Sequence, residues 1–494
     1  MTATAVDEET PLLQVGAPKR TPLDFGQLSI VLFLQLAEPL TSQVIYPFTP
    51  QLIRDIGITG GDETKVGHYV GLLQSLFFLT QAMTVLHWSR TSDRVGRKPV
   101  ILIGLLGLSL SMYCFGLSKT FIGLVLSRGL NGALNGNIGV IKSMMAEMTD
   151  ETNIAVAYAY MPIAWSTGGT LGPIIGGALS HPAEQFPSIF GRFQLLKDYP
   201  YFLPCAVPAT FSAIAWFVVY FRLKETSKAT QTWGELLGLT RAKKDTLLDA
   251  PKPIDEIPES ERPVPLNKLI IPRVIIAGMN YAFLSLVDIA YRAIQPLFFS
   301  TPIELGGLGL PPAHIGSILS VFGILNGIFQ ASQMQHKINS ATDVPQIFFF
   351  ARIHDHFGSK KTFIAGIAAS IPIIMLFPLM SLYAKAEGYS FMVWVFVGLQ
   401  IVLSLLISLS YGAVFIFISA ASPNRASLGA TNGLCQMSVS IMRAIGPAAA
   451  NSLFSLSIKH NYLNGWMVYY VLLGVSLVSL YVASLLPSRA WAAK

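Results

Sequence analysis

The sequence predicts an all-α membrane protein with twelve transmembrane helices in two pseudo-symmetric six-helix bundles. Three observations carry that expectation. Of the 494 residues, 52% are hydrophobic and only 12% are charged, about half the ~25% with which a soluble globular chain coats its surface. Twelve apolar runs approach or exceed the ~20 residues that a spanning helix needs. A basic, glycine-containing loop in the first half also returns 262 residues later in the second half. Together these exclude an ordinary cytosolic enzyme and a nucleic-acid binder.

Residues 1–25 form a cytoplasmic tail. Its acidic start, Asp7, Glu8 and Glu9, is unlike a signal peptide, so the first span is an uncleaved anchor. Glu8-Glu9-Thr10-Pro11-Leu12-Leu13 resembles an acidic dileucine sorting signal; a disordered tail without an address is the other reading. The N-terminal bundle, 26–222, holds spans at 26–47, 67–88, 99–118, 121–146, 154–180 and 200–221. A polar linker, 223–272, follows. From Arg222 to Arg273 the chain carries ten Lys/Arg and eight Asp/Glu, with prolines at 251, 253, 258, 263 and 265, a composition for a cytoplasmic connection. Within it Trp233, Leu236 and Leu237, followed by Arg241, Lys243 and Lys244, suit either a short interfacial helix or a solvated linker.

The C-terminal bundle, 273–487, holds spans at 273–299, 312–332, 362–384, 390–421, 427–457 and 465–486, and 488–494 is a short cytoplasmic C-terminus. With the N-terminus inside, 24 Lys/Arg, Lys142 among them, fall on the cytoplasmic side and seven outside. Both termini are therefore cytoplasmic. One place breaks the repeat: Gly71 and Asp93 are 22 residues apart, but Gly316 and Asp355 are 39 apart. The excess, polar residues 331–346 near the end of the eighth span, predicts an insertion outside the bilayer, read either as an extended excursion or as a mis-assigned coding segment. Cys114, Cys205 and Cys435 lie in apolar runs without metal or disulfide spacing and read as packing residues.

The repeated loop reads Asp93-Arg94-x-Gly96-Arg97-Lys98 in the first half and Arg352-x-x-Asp355-x-x-Gly358-x-Lys360 in the second. An acid at a helix end accepts from a neighbouring helix's amides, and the basic groups pair with acids or lipid phosphates. Helix 5 carries Gly168-x-x-x-Gly172-Pro173-x-x-Gly176-Gly177, whose spaced glycines admit a close backbone neighbour and whose proline bends the helix; Gly446-Pro447 echoes it. On these motifs the chain resembles the major facilitator superfamily, in its drug:proton antiporter branch. Arg128-x-x-Asn131-Gly132 resembles that family's Arg-x-x-Gln-Gly with asparagine for glutamine, and Tyr46-Pro47-Phe48, Arg54-Asp55, Gly67-x-Tyr69-x-Gly71 and Ala444-Ile445-Gly446-Pro447-Ala448-Ala449 look most like zinc-induced facilitator-like proteins and their fungal relatives. The resemblance implies the major facilitator fold, a conformational gate at the two loops, and Glu147 as the acid that pairs with the loop arginine.

Charges at membrane depth are costly unless paired or functional. Glu38 and Asp288 occupy near-equivalent places in the two halves, nine and eight residues before Pro47 and Pro296. Each is read as a proton site or as a structural hydrogen-bonded acid, and Arg292, four residues after Asp288, is placed to neutralise it. Arg128 is expected in the central cavity beside an acid of helix 1 or 4, and Arg443 to hold an anionic substrate group or neutralise a neighbour. Tyr160, Trp165, Tyr281 and Tyr411 are candidates either for the cavity wall or for packing against lipid and protein.

The expected function is a proton-coupled antiporter or efflux pump that exports a small organic molecule, a drug or secondary metabolite, by alternating access. A vacuolar zinc or zinc-chelator facilitator is the alternative, and a transport-inactive nutrient sensor the reading from another class. No catalytic constellation argues for an enzyme, His354-x-His356 is explained by the loop repeat without metal, and no cofactor beyond the proton gradient is implied. The partners are a small-molecule substrate and the lipid bilayer, with no nucleic acid, for a monomer in the plasma or vacuolar membrane.

Overall fold

A computed structural model describes residues 21–150, 153–227, 268–339, 349–424, 427–488 and 491. The dileucine tail and the Trp233 segment lie outside these. Among the described residues the chain is helical and no strand forms. The first predicted span, 26–47, is built from α1 (Phe25–Gln35) and α2 (Ala37–Gln43) with turns at 44–48, and α3 (Thr49–Ile56) follows beyond it. Asp24 starts α1 by accepting the Gln27 amide at 3.1 Å, and Gly57, at φ 72°, ends α3. α4 (Val66–Val95) and α5 (Arg97–Gly116) follow; the fourth span divides into α6 (Phe121–Leu134) and α7 (Asn137–Glu147), interrupted at Asn135-Gly136.

α8 (Ile154–Ala178) contains Pro162 and Pro173. Three short helices, α9 (Pro182–Gln185), α10 (Pro187–Phe190) and α11 (Gln194–Asp198), lead to α12 (Phe202–Arg222). The second half comprises α13 (Pro272–Ser300), α14 (Pro312–Asn339), α15 (Phe349–Ala368), α16 (Ser370–Glu387), α17 (Phe391–Ala421), α18 (Leu428–Lys459) and α19 (Met467–Ser484). Among the described residues, eight stretches are long and apolar enough to cross a bilayer by themselves. The four other predicted spans coincide with the broken first and fourth spans, α8 and α18. α14 continues through Asn339, so the first nine residues of the expected insertion are helical rather than extended; 340–348 lie outside the described residues.

Inside a bilayer there is little hydrophobic drive between helices, so close backbone approach and hydrogen bonds hold them together. In the first half α5 packs on α12, α4 on α6, and α2 on α8; in the second α13 packs on α18, and α15 on α17. The halves meet along α8 with α14, α4 with α18, and α3 with the end of α13. Small residues make this possible: a Cβ on Gly71 would lie 2.7 Å from the Pro447 carbonyl oxygen, and one on Gly323 would lie 2.6 Å from that of Gly169.

The hydrogen bonds between the halves favour one end of the molecule, the end that carries Arg54. The Arg54 guanidinium donates to Ser300 Oγ at 2.6 Å and to its carbonyl at 2.9 Å. His68 Nδ1 bonds Ser452 Oγ at 2.8 Å, and Ser75 Oγ accepts the Ala448 amide at 2.8 Å. Ser320 Oγ donates to the Thr170 carbonyl at 3.0 Å. Cys205 and Cys435 are buried as expected of packing residues, whereas Cys114 lies on an exposed face.

Candidate functional site

Two places gather the predicted residues: the loop at the end opposite Arg54, and the middle of the molecule between the halves. At the loop, Arg97 is buried and joins two acids. Its Nη1 meets Asp93 Oδ1 at 2.6 Å, and its Nη2 meets Glu147 Oε1 at 2.7 Å; Nη1 also donates to Ser92 Oγ at 2.7 Å. Burial disfavours the ionised Glu147, but the hydrogen bonds from Arg97 and Thr226 win and hold its carboxyl below the usual range. Asp93, near the end of α4, accepts from the Arg97 side chain at the start of α5, where a neighbouring helix's amides had been expected.

The amides at the start of α5 are taken by a residue the sequence reading passed over. Glu225, just after α12, accepts from the Arg97 and Lys98 backbone N–H groups at 2.9 Å each, a carboxylate at the positive end of a helix. Gly96 sits at φ 107° and ψ 161° between α4 and α5, and an added Cβ would stand 2.7 Å from Glu225 Oε2. Its counterpart Gly358 has φ 78° and ψ 161°. Both positions use backbone freedom that only glycine has at low cost, so the repeat is present in conformation as well as in letters. Lys360 Nζ donates to the Ser484 carbonyl at 2.7 Å. The side chains of Arg352 and Asp355 lie outside the described set.

The glycine row of α8 does two jobs. A Cβ on Gly168, Gly172 or Gly176 would meet Pro39 Cβ at 2.6 Å, Gln43 Cβ at 2.9 Å or the Val44 carbonyl oxygen at 1.9 Å; one on Gly177 would meet the Pro312 carbonyl oxygen at 2.5 Å. The first three glycines therefore seat α2, which carries Glu38, and the fourth seats the start of α14 in the other half. The Pro173 carbonyl oxygen would lie 2.3 Å from a Cβ on Gly316, so no larger residue fits that crossing.

In the middle, Glu38 is 8% exposed, on the first turn of α2. The Asn135 and Gln81 amides and the cations Arg443 and Lys142 face it. Lys142, counted with the cytoplasmic charges, is an exposed residue on α7 and lies within electrostatic reach of Glu38 and Arg443. Five residues before Glu147, it stands ~7.5 Å further along the helix, which is the signal that could have found it. Asp288 is committed as expected, with Oδ1 accepting from Arg292 Nε at 2.8 Å and Oδ2 from the Tyr411 hydroxyl at 3.1 Å. Arg292 also lies over the Phe322 ring, 4.6 Å from its centroid.

Arg443 Nε donates to Ser285 Oγ at 3.3 Å, and Tyr411, Tyr281 and Asp288 surround it. Tyr281 donates to Gln436 Oε1 at 3.3 Å and packs edge-on against Tyr411, so these two tyrosines wall the site. Tyr160 instead meets Phe25, and Trp165 is 39% exposed. Arg128 is 2% exposed and lies over the Phe77 ring, 4.4 Å from its centroid. The acid expected beside it is absent among the described residues, and its Nε and Nη1 have no hydrogen-bond partner. Its electrostatic neighbours are Tyr46 and Cys205, eight residues past Glu38 on the first span and on α12, so Arg128 stands nearer the Arg54 end than the acid it was expected to meet.

A second cluster lies at the Arg54 end. Asp55 Oδ2 accepts from His181 Nε2 at 3.2 Å and from the Tyr201 hydroxyl, and Oδ1 accepts from Gln51 at 2.8 Å. The Asp55 hydrogen bond outweighs burial and holds the His181 imidazole above its ordinary value. Burial opposes ionisation of Asp55 too, yet its three donors keep it below the ordinary carboxylate value.

Comparison with known proteins gives a family model match over residues 31–341, described as the Major Facilitator Superfamily. A major facilitator-type transporter, psiT2, of Psilocybe cubensis is 30% identical over 94% of this chain and 90% of its own. The efflux pump azaK of Aspergillus niger is 27% identical over 96% of this chain and 90% of its own. ZINC INDUCED FACILITATOR-LIKE 1 of Arabidopsis thaliana is 30% identical over 93% and 90%. Among solved structures, a bacterial homologue of the human lysosomal transporter Spinster, inward-facing and occupied, superposes with a TM-score of 0.62 at 14% identity, over 94% of this chain and 97% of that one; at that identity the likeness speaks for the fold alone.

Proposed function

This chain belongs to the major facilitator superfamily, and from that premise we propose that it is a proton-coupled antiporter that exports a small organic molecule by alternating access. The observation that carries the reading is Glu38: a buried carboxylate on α2 with Arg443 of the other half among its electrostatic neighbours. A buried carboxyl that can lose and regain its proton is what coupling requires. Asp288, held by Arg292 and Tyr411, serves the architecture of the same site. The efflux pump among the relatives supports the outward direction.

With the Arg97 end and both termini toward the cytoplasm, the seal at Arg54 faces outside, and the conformation is the one that receives cargo from within. The protein acts as a monomer in the plasma or vacuolar membrane, with the proton gradient as its energy source and no bound cofactor. The Arabidopsis relative's name raises zinc as a cargo. Among the described residues no three His, Cys, Asp or Glu side chains gather, so the organic cargo is preferred.

The test is uptake into inverted vesicles under an imposed pH gradient. Glu38→Gln should abolish gradient-driven uptake while the purified protein keeps its thermal transition. Coupling that survives in that variant removes Glu38 from the mechanism.

A further inference from the structure

We propose that the first turn of the linker is a strap on the cytoplasmic gate, with Glu225 and Thr226 as positioning residues for the start of α5 and for Arg97, and that this strap sets how fast the two halves re-orient. The inference rests on the alternating-access reading, with the Arg97 end toward the cytoplasm.

Three consecutive residues after α12 reach three different helices. The Lys224 amide donates to Gln27 Oε1 of α1 at 3.0 Å, and Gln27 Nε2 returns a bond to the Arg222 carbonyl at 3.3 Å. Glu225 divides its carboxylate between the first two amides of α5, with Oε1 accepting from Arg97 and Oε2 from Lys98 at 2.9 Å each. The Thr226 hydroxyl donates to Oε2 of Glu147, the last residue of α7, at 2.5 Å. Leu223, at the root of the turn, is 2% exposed, and Glu225 Oε1 also accepts the Thr226 and Ser227 amides at 3.0 and 3.1 Å, which closes the turn on itself. A plain connection would leave this stretch in water, because ordering it costs backbone entropy.

The strap reaches the gate through Glu147. Its Oε1 accepts from Arg97 Nε at 3.1 Å and Nη2 at 2.7 Å, and its Oε2 is taken by Thr226. The two oxygens are divided between gate and strap, so the plane of the carboxylate is fixed, and with it the guanidinium lying against it. Every one of these contacts lies within the first half. They tie the cytoplasmic ends of α1, α5, α7 and α12 into one body, which is what rigid rocking of one half against the other requires. A guanidinium already held in place is ready to meet the second half as the cytoplasmic side closes, whereas a loose one must be ordered during the step and slows it. The strap lies at one end of the molecule, away from the midplane residues Glu38, Asp288 and Arg443, so its effect falls on the rate of re-orientation.

The experiment follows the cytoplasmic side by single-molecule fluorescence energy transfer between dyes at Arg90→Cys on α4 and Ser488→Cys after α19, both exposed positions. The full-length chain carries Cys114→Ser, Cys205→Ser and Cys435→Ser and sits in liposomes without cargo or pH gradient. Thr226→Val should lengthen the dwell before closure about threefold to tenfold, and Thr226→Ser should restore it. Glu225→Ala should slow closure likewise and speed hydrogen exchange at the Arg97 and Lys98 amides about tenfold, with Glu225→Gln, which keeps an acceptor, in between. Two transfer levels whose dwell times are unchanged in Thr226→Val and Glu225→Ala overturn the strap alone, as does a Thr226→Ser chain as slow as Thr226→Val. A thermal transition that drops in Thr226→Val while its dwell times hold shows a helix cap and nothing more, and also overturns it. Failure of alternating access shows differently, as a single transfer level in the chain that keeps Glu225 and Thr226, and takes the strap's role with it.

Discussion

Gly176→Ala should damage this protein far more than Gly169→Ala, although the two positions lie seven residues apart on one helix. The new Cβ at 176 would stand 1.9 Å from the Val44 carbonyl oxygen, about 1.5 Å short of ordinary contact, and its neighbour is backbone, which cannot swing away. Overpacking of that kind costs about 1–3 kcal/mol, and the helix propensity gained from Gly to Ala returns only about 1 kcal/mol. At 169 nothing lies within 4 Å of the added atom, so that variant keeps the propensity gain of about 0.5–1 kcal/mol. The displaced element is α2, so Glu38 moves with it and uptake should fall along with stability. Thermal unfolding of the two purified variants, paired with initial uptake rates in vesicles, reads both effects. A Gly176→Ala protein as stable and as active as the unmodified chain, or a Gly169→Ala protein equally impaired, would show that α8 does not seat the first span as described.

Arg97→Ala leaves Glu147 and Asp93 without their cation. Complete burial of such a pair would cost several kcal/mol, but Asp93 and Glu147 are 59% and 31% exposed, so a loss of about 1–2 kcal/mol is expected, read as a lower Tm whose deficit shrinks as salt is added. The His181–Asp55 pair should make the Arg54 end pH-sensitive. His181 is raised, so its contribution is whole below the ordinary histidine value of 6.5 and is lost as pH rises through its higher folded value. Asp55 is lowered, so its share is whole above 3.8 and is lost as pH falls through its folded value. Stability from this cluster therefore peaks in mild acid. Between about pH 5.5 and pH 8, the unmodified chain should lose roughly 1–2 °C in Tm more than His181→Ala does, a discounted figure because both groups are part-exposed; identical pH profiles would rule the pair out as a titrating contact.

Much of the architecture is written in composition and spacing. Twelve apolar stretches, a polar linker and two copies of a loop define the bundle, because lipid admits only elements that satisfy their own backbone. The Arg97–Glu147 and Asp288–Arg292 pairs were legible too, the first through family resemblance and the second through a four-residue helical interval. The two tyrosines that wall the site were visible only as candidates, since an aromatic residue in a spanning helix is equally at home against lipid.

What the tertiary structure decided is which charges share a space. Lys142 read as a cytoplasmic-side cation and sits on α7 within electrostatic reach of Glu38; Arg128 read as the partner of an acid and lies over Phe77; Glu225 read as linker and caps α5. Periodicity assigns a residue to a face of its own helix. The depth of that face, its rotation and the neighbour across from it depend on how glycines such as Gly176 let one backbone settle on another. Those contacts join residues far apart in the chain, so local sequence holds the pieces of the site, and only packing brings Glu38 and Arg443 to opposite sides of one place.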